Sequence, residues 1–135
     1  MAKESGLAWT TASVDDSGDS LRAIINDITN LTFSVPRGIQ DVTGMDKSAM
    51  ERLLLLADFS IELTGVFNDA SNVSHDVFKT VSSTSVARTT TLVVSGRTLT
   101  NEVFYTDYAH TRAPTGEYTW SAPGVLATGV VPTWS

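Results

Sequence analysis

His75 and His110 are the only imidazoles in the chain, and cysteine is absent. His75 stands beside Asp76 and near several serines, the residue types of a Ser-His-Asp hydrolase. The pattern does not support that chemistry. No nucleophile-elbow motif accompanies the serines, and in a chain this rich in Ser and Thr such neighbours arise by chance. A transition-metal centre needs three or four converging ligands, which two separated histidines do not supply. Asp15, Asp16, Ser17, Gly18 and Asp19 share the composition of a calcium loop, but the glutamate expected at the twelfth position is missing, which favours a solvated turn. No glycine-rich phosphate loop is present. These residues point away from catalysis and call for no metal or cofactor.

Charge and composition narrow the field further. The chain carries 15 Asp and Glu against 9 Lys and Arg, a formal charge of −6. That balance is wrong for a groove that grips phosphates, although it suits a surface along which DNA passes without being held. Hydrophobic residues at 41% and charged residues at 18% describe a folded chain, and 135 residues suffice for one core. Without cysteine there is no disulfide framework. No apolar run reaches membrane-spanning length. The opening Met1 to Gly6 is polar with no apolar stretch, so no secretory signal is read there and residence in a cytoplasm is expected.

The elements that must position any site are mainly β. Residues 7–14 alternate as a first strand, 15–20 form a turn, and 21–26 read equally as a short strand or a helical turn. Residues 28–35 form a strand with Leu31, Phe33 and Val35 on one face. Residues 59–68 form another, with Phe59, Ile61, Leu63 and Phe67 on one side and Ser60, Glu62 and Thr64 on the other. Val73, Val77, Phe78 and Val81 recur at helical period and predict the chain's best helix. Residues 86–95 and 99–108 predict a hairpin around Gly96 and Arg97. Tyr118, Trp120 and Ala122 mark a last strong strand, and residues 123–135 an additional edge segment. Trp9, Phe33, Phe59, Phe67, Phe78, Tyr118 and Trp120 are expected in the core. The sum is about seven strands and one helix, a β-sandwich or partly closed barrel with the helix packed on it.

Two features are unlike an ordinary soluble domain. The faces opposite the core, with Asn30, Thr32, Ser34, Ser60, Glu62, Thr64, Glu117, Thr119 and Ser121, are short, polar and free of lysine. They suit either a Thr-rich exposed sheet or the wall of a water-filled lumen made by a ring of copies, with Glu62, Glu117, Thr64 and Thr119 facing inward. The second feature is the long connection 36–58, with residues 39–43 extended, a short helix beginning at Lys47 capped by Asp46, and four consecutive leucines, Leu53, Leu54, Leu55 and Leu56. Connections of this length are usually functional. It reads as an arm between subunits, carried by Met45, Met50 and the four leucines. Two of the four are expected to face the core and two to form an interface.

The stretch Thr43-Gly-Met-Asp-Lys-Ser-Ala-Met-Glu-Arg, the leucines, and then Ala57-Asp-Phe-Ser-Ile-Glu-Leu-Thr-Gly-Val-Phe-Asn-Asp resembles the middle of the major tail tube proteins of long-tailed bacteriophages. Gly116-Glu-Tyr-Thr-Trp-Ser and Gly129-Val-Val-Pro-Thr-Trp-Ser are similar to the ends of the same proteins. The resemblance covers roughly the whole chain. It implies a single tail tube domain over 1–135, with a flexible N-terminal arm at 1–6, the interaction arm at 36–58 and a C-terminal segment at 123–135. The three flanking segments are expected to order on assembly. It further implies a structural virion protein, assembled in the host cytoplasm as hexameric rings stacked around a tape measure protein, in contact with other tail proteins and with no membrane. Such a tube conducts DNA during ejection. A tail-terminator or distal-tail ring protein, a secretion-system tube protein and a small immunoglobulin-like binding module are the alternatives.

Overall fold

The computed structural model describes residues 3–135. Met1 and Ala2, part of the expected N-terminal arm, lie outside the described residues. The chain runs through a 3-10 turn (Gly6–Ala8), β1 (Trp9–Asp15), β2 (Leu21–Ala23), a second 3-10 turn (Ile25–Asp27), β3 (Ile28–Ser34), β4 (Arg37–Asp41), β5 (Arg52–Ala57), β6 (Ser60–Val66), α1 (Ser74–Phe78), β7 (Arg88–Val94), β8 (Arg97–Tyr105), β9 (Ala109–Arg112) and β10 (Tyr118–Leu126). The ambiguous stretch 21–26 thus holds both a short strand and a helical turn. There are ten strands, not about seven, among the described residues. Six of the expected strands are β1, β3, β6, β7, β8 and β10. The expected edge segment 123–135 begins inside β10 and not as a strand of its own, and the four further strands are the short pieces β2, β4, β5 and β9, whose apolar alternation is too brief to read.

Eight strands form one antiparallel sheet in the order β2-β1-β7-β8-β10-β6-β3, with β9 also on β10. The two ends of that order do not pair, so the sheet does not close into a barrel. It folds over instead. Trp9 on β1 and Phe33 on β3 stand near opposite ends of the strand order, yet their rings meet edge-on at 6.1 Å. The fold lies between β8 and β10, which share only three residue pairs, Gly124↔Tyr105, Val125↔Phe104 and Leu126↔Val103. The result is a β-sandwich-like fold.

Strict alternation fills its interior. Leu92, Leu99, Val103, Ile61, Leu63, Trp120 and Ala122 are buried, with Phe59 and Phe78 closing the ends. Trp9 and Phe33 are partly buried against this core, whereas Tyr118 is exposed. Gly65 is required by close approach, because a Cβ there would run into the Asp27 carbonyl and the Trp120 ring.

The predicted helix is real but short. Val77 and Phe78 are fully buried, yet α1 is five residues long and ends before Val81, which still packs against the core from the turn that follows. Val73 stands at its start and offers no side-chain cap. The Ser74 N–H donates to Asp27 Oδ2 at 3.1 Å, and the Asn68 side chain donates to Asp27 Oδ1 at 2.8 Å. At the other end the buried Arg88 guanidinium donates to the Val77 carbonyl at 2.9 Å and to Thr80 Oγ1 at 3.0 Å. Burial draws the Arg88 pKa down, and the nearby Asp16 carboxylate opposes that shift. An anion at the helix start and a cation at its end match the helix dipole.

Candidate functional site

Register builds the first candidate surface. Asn30 lies opposite Thr64, Thr32 opposite Glu62, and Ser34 opposite Ser60. On the other side of β6, Ser121 lies opposite Thr64 and Thr119 opposite Val66. Directly paired residues share a face, so eight of the nine polar residues named from the sequence fall on one continuous surface of β3, β6 and β10. Glu62 is the only charge among them. Ser121 Oγ donates to Glu62 Oε1 at 3.1 Å, and the Ser34 and Ser60 hydroxyls bond to each other at 3.0 Å. These bonds hold short side chains down on the sheet and leave the carboxylate at its centre. Glu117 is the exception. It precedes β10, and its carbonyl accepts from the Ala113 N–H at 2.8 Å, which places it in the β9–β10 turn and not on the strand.

A second hydroxyl-rich surface was not singled out from the sequence. Ser13, Thr91 and Thr100 form one row across β1, β7 and β8, and Thr89 lies opposite Glu102, to which its hydroxyl donates. The run Thr89-Thr-Thr91 was its visible signal. On the second face Ser13 is buried, Thr89, Thr91 and Glu102 are half-buried and Thr100 is exposed, whereas on the first Asn30, Thr32, Ser34 and Glu62 stand exposed and Ser60, Thr64, Thr119 and Ser121 are half-buried. The β3-β6-β10 face is therefore the more open of the two.

The second candidate is the connection 36–58. It is a two-stranded β-ribbon, separate from the main sheet. Ile39 pairs with Leu54, Gln40 with Leu53 and Asp41 with Arg52, and a bulge intervenes before Arg37 and Ala57. Its neck is laced by polar bonds. Arg37 Nε donates to the Leu55 carbonyl at 2.9 Å, Asp41 Oδ1 accepts from the Thr43 N–H at 2.9 Å, and the Glu51 N–H donates to Thr43 Oγ1 at 2.8 Å. The Thr43 hydroxyl and N–H hold the Asp41 carboxyl below the usual carboxylate range.

Two expectations for this segment fail. No helix begins at Lys47; the Lys47 N–H closes a single turn on the Gly44 carbonyl. A few residues with no body to pack on do not nucleate a helix. Nor does any leucine face the core. Leu53, Leu54, Leu55 and Leu56 are all exposed, Leu56 at 90%, as are Met45 at 106% and Met50. The cause is strand geometry. Successive side chains alternate between the two faces of a ribbon, and neither face lies on the sandwich. Leu54, Leu55 and Leu56 line a groove of about 660 Å³ with Arg37, Ala57 and Val131.

The histidines do not assemble a triad. His75 Nδ1 bonds to the Tyr108 hydroxyl at 3.2 Å, and His110 Nδ1 to the Tyr118 hydroxyl at 2.8 Å. Asp76 is engaged elsewhere, accepting from the Asn72 N–H at 2.7 Å and Lys79 Nζ at 3.0 Å. Both imidazoles flank the Phe67 ring, at 4.8 and 6.1 Å between centroids. Burial pushes the Tyr108 phenol up to about 12. In the acidic turn, Asp16 accepts from the Gly18 and Ser20 N–H groups at 2.9 and 3.0 Å and from Arg22 Nε at 3.0 Å. That carboxylate is spent on the turn, and among the described residues no three His, Cys, Asp or Glu side chains converge as for a metal ion.

No protein-family model matches the chain, and no curated protein matches its sequence. Solved structures do match its fold. A chain from the tail of an empty gene transfer agent particle with C6 symmetry superposes with a TM-score of 0.77 at 16% identity, over 98% of each chain. A chain from the virion of a native gene transfer agent particle gives 0.76 at 16% identity, over 97% of this chain and 99% of the other. Nearly every residue of both partners takes part, so the ribbon and the closing segment belong to the shared chain length. In fold, this chain is a counterpart of chains found in the virion and the sixfold tail of a phage-like particle, in keeping with its resemblance to tail tube proteins.

Proposed function

We propose that the protein is a structural subunit of a phage-like tail, which forms hexameric rings stacked into a tube. The observation that carries the reading is the exposed apolar ribbon on a fold otherwise found in a sixfold tail. A two-stranded ribbon is marginal in water by itself. One with leucines on both faces requires cover on two sides, and identical neighbours in a ring and in the next ring provide it.

The β3-β6-β10 face supplies the lumen wall in this reading. Short hydroxyls give water a smooth surface, and Glu62, repeated around each ring, repels phosphate so that DNA slides without being held. Thr64 and Thr119 line the same wall, and Glu117 adds charge from its rim. Met45, Met50 and Leu53 to Leu56 make the contacts between subunits. A tape measure protein fills the channel before DNA, other tail proteins cap the tube, and the virion tail is its place of residence. Binding and stacking, not catalysis, are its work.

Electron microscopy of the purified protein tests this. Rings or tubes with a central channel are expected. Monomers that persist at high concentration, with or without a tail extract, would remove the reading and favour a binding module.

A further inference from the structure

The chain leaves β10 along the edge of β8 in an uneconomical way. Leu126 pairs with Val103, and the Ala127 N–H donates to the Glu102 carbonyl at 3.0 Å. Pairing resumes only at Trp134, bridged to Leu99, after which Thr98 and Ser135 exchange N–H···O bonds at 3.0 and 2.9 Å. Between those two points β8 advances four residues while the partner segment uses eight. The excess is thrown out as an excursion over 128–133. It turns on Gly129, whose φ is 73°, and leaves Val130 and Val131 exposed at 68% and 63%. A cavity of about 130 Å³ remains between the excursion and β8. At the far end Trp134 sits on the Phe33 ring at 6.0 Å, yet stays 45% exposed.

We propose that this segment is exchanged between copies. In the ring, residues 133–135 of one subunit occupy the β8 edge of its neighbour, with Trp134 on that neighbour's Phe33. The inference rests on the ring-forming reading above and adds the identity of one contact. The occupant is a second copy because the seat already fits this sequence, and every copy brings the same segment in the same register. Exchange of an identical element is a low-cost route to assembly. The length fits as well. Residues 128–133 form the excursion of the closed form, and drawn out they reach about 20 Å. Straightening the excursion also lays Val130 and Val131 along the neighbour.

The chain has no cysteine, which makes the test direct. Two residues that exchange both N–H···O bonds in an antiparallel pair stand about 5.5 Å apart at Cα, within disulfide reach. The single variants Thr98→Cys and Ser135→Cys are mixed, assembled, oxidised and run without reductant. Exchange predicts heterodimers linked 98 to 135 by mass, and the double variant predicts a ladder of covalent oligomers. Assembled single variants that give no 98-to-135 link, with a double variant that closes only within itself, would overturn the exchange. Oxidising the double variant as a free subunit before assembly is the second arm: exchange predicts loss of rings that reductant restores, and normal rings from the locked form count against it. If the unmodified protein forms no rings at all, it is the proposed function that fails.

Discussion

Leu56→Ser separates folding from assembly more sharply than any other change. Leu56 is 90% exposed in the free subunit and packs on no part of the sandwich. A substitution at such a site shifts unfolding free energy by no more than about 0.5 kcal/mol. In the tube the same side chain is taken as buried. Full burial of a leucine is worth about 1.5–3 kcal/mol, and its 90% exposure leaves nearly all of that, about 1.4–2.7 kcal/mol, to be gained on assembly. At roughly 1.4 kcal/mol per factor of ten, the critical concentration for polymerisation should rise about 10- to 100-fold. The assay is sedimentation of polymer across a concentration series, beside a thermal melt of the dilute subunit. Leu63→Ser serves as the contrast, because Leu63 is 1% exposed at the centre of the core and its loss should abolish the cooperative melt. A critical concentration for Leu56→Ser within about twofold of the parent, or loss of its cooperative melt, would refute the reasoning that the ribbon is an interface and not a part of the domain.

Asp27→Ala should cost about 2–4 kcal/mol of unfolding free energy, because it orphans the Ser74 N–H and the Asn68 amide in a buried site; a denaturant titration measures it. Glu62→Lys should leave the melt unchanged and slow DNA ejection, whereas Glu102→Lys on the half-buried face should not; a particle ejection assay on tubes shown to contain each variant decides between the two faces. Backbone N–H groups hold the Asp16 and Asp76 carboxyls below their ordinary value, so the stability they lend is complete above that value and is lost as pH falls below it through their depressed folded pKa; melts on the acid side should show it, and Asp16→Asn should flatten the slope. On the alkaline side Tyr108, pushed up to about 12 by burial, favours the fold below the ordinary phenol value and withdraws that support as pH rises past it. Tyrosine absorbance against pH reads this directly, and a Tyr108 that ionises at the ordinary value would contradict its burial.

The body of the fold was legible because its strands obey a two-residue period. Ile61 and Leu63 face in, Ser60 and Glu62 face out, and pairing then set Thr32 and Ser121 beside their partners without further information. Glu117 was read one residue too far into β10, which begins at Tyr118, because alternation does not say where a strand stops. The leucine run misled for a different reason. Four apolar residues in a row match a buried strand, and the sequence carries no record that the sandwich leaves all four uncovered. Helix α1 was over-extended because Val81 keeps the period while the serines after it favour turns. Its true caps, Asp27 and Arg88, are distant in sequence and leave no local trace.

Those caps also govern when the helix can exist. Ser74 lies 47 residues after the carboxylate that receives its N–H, and Val77 lies 11 residues before the guanidinium that holds its carbonyl. Five residues cannot sustain a helix alone, since nucleation is unfavourable at that length. On a chain made from its N-terminus, the segment around Ser74 and Val77 therefore emerges with its start already provided for and its end not. It gains full helical support only after β7 has been synthesised and Arg88 has turned inward. Formation of α1 thus waits on β7, and a probe on His75 or Phe78 should follow a later folding phase than probes on the β3–β6 pair.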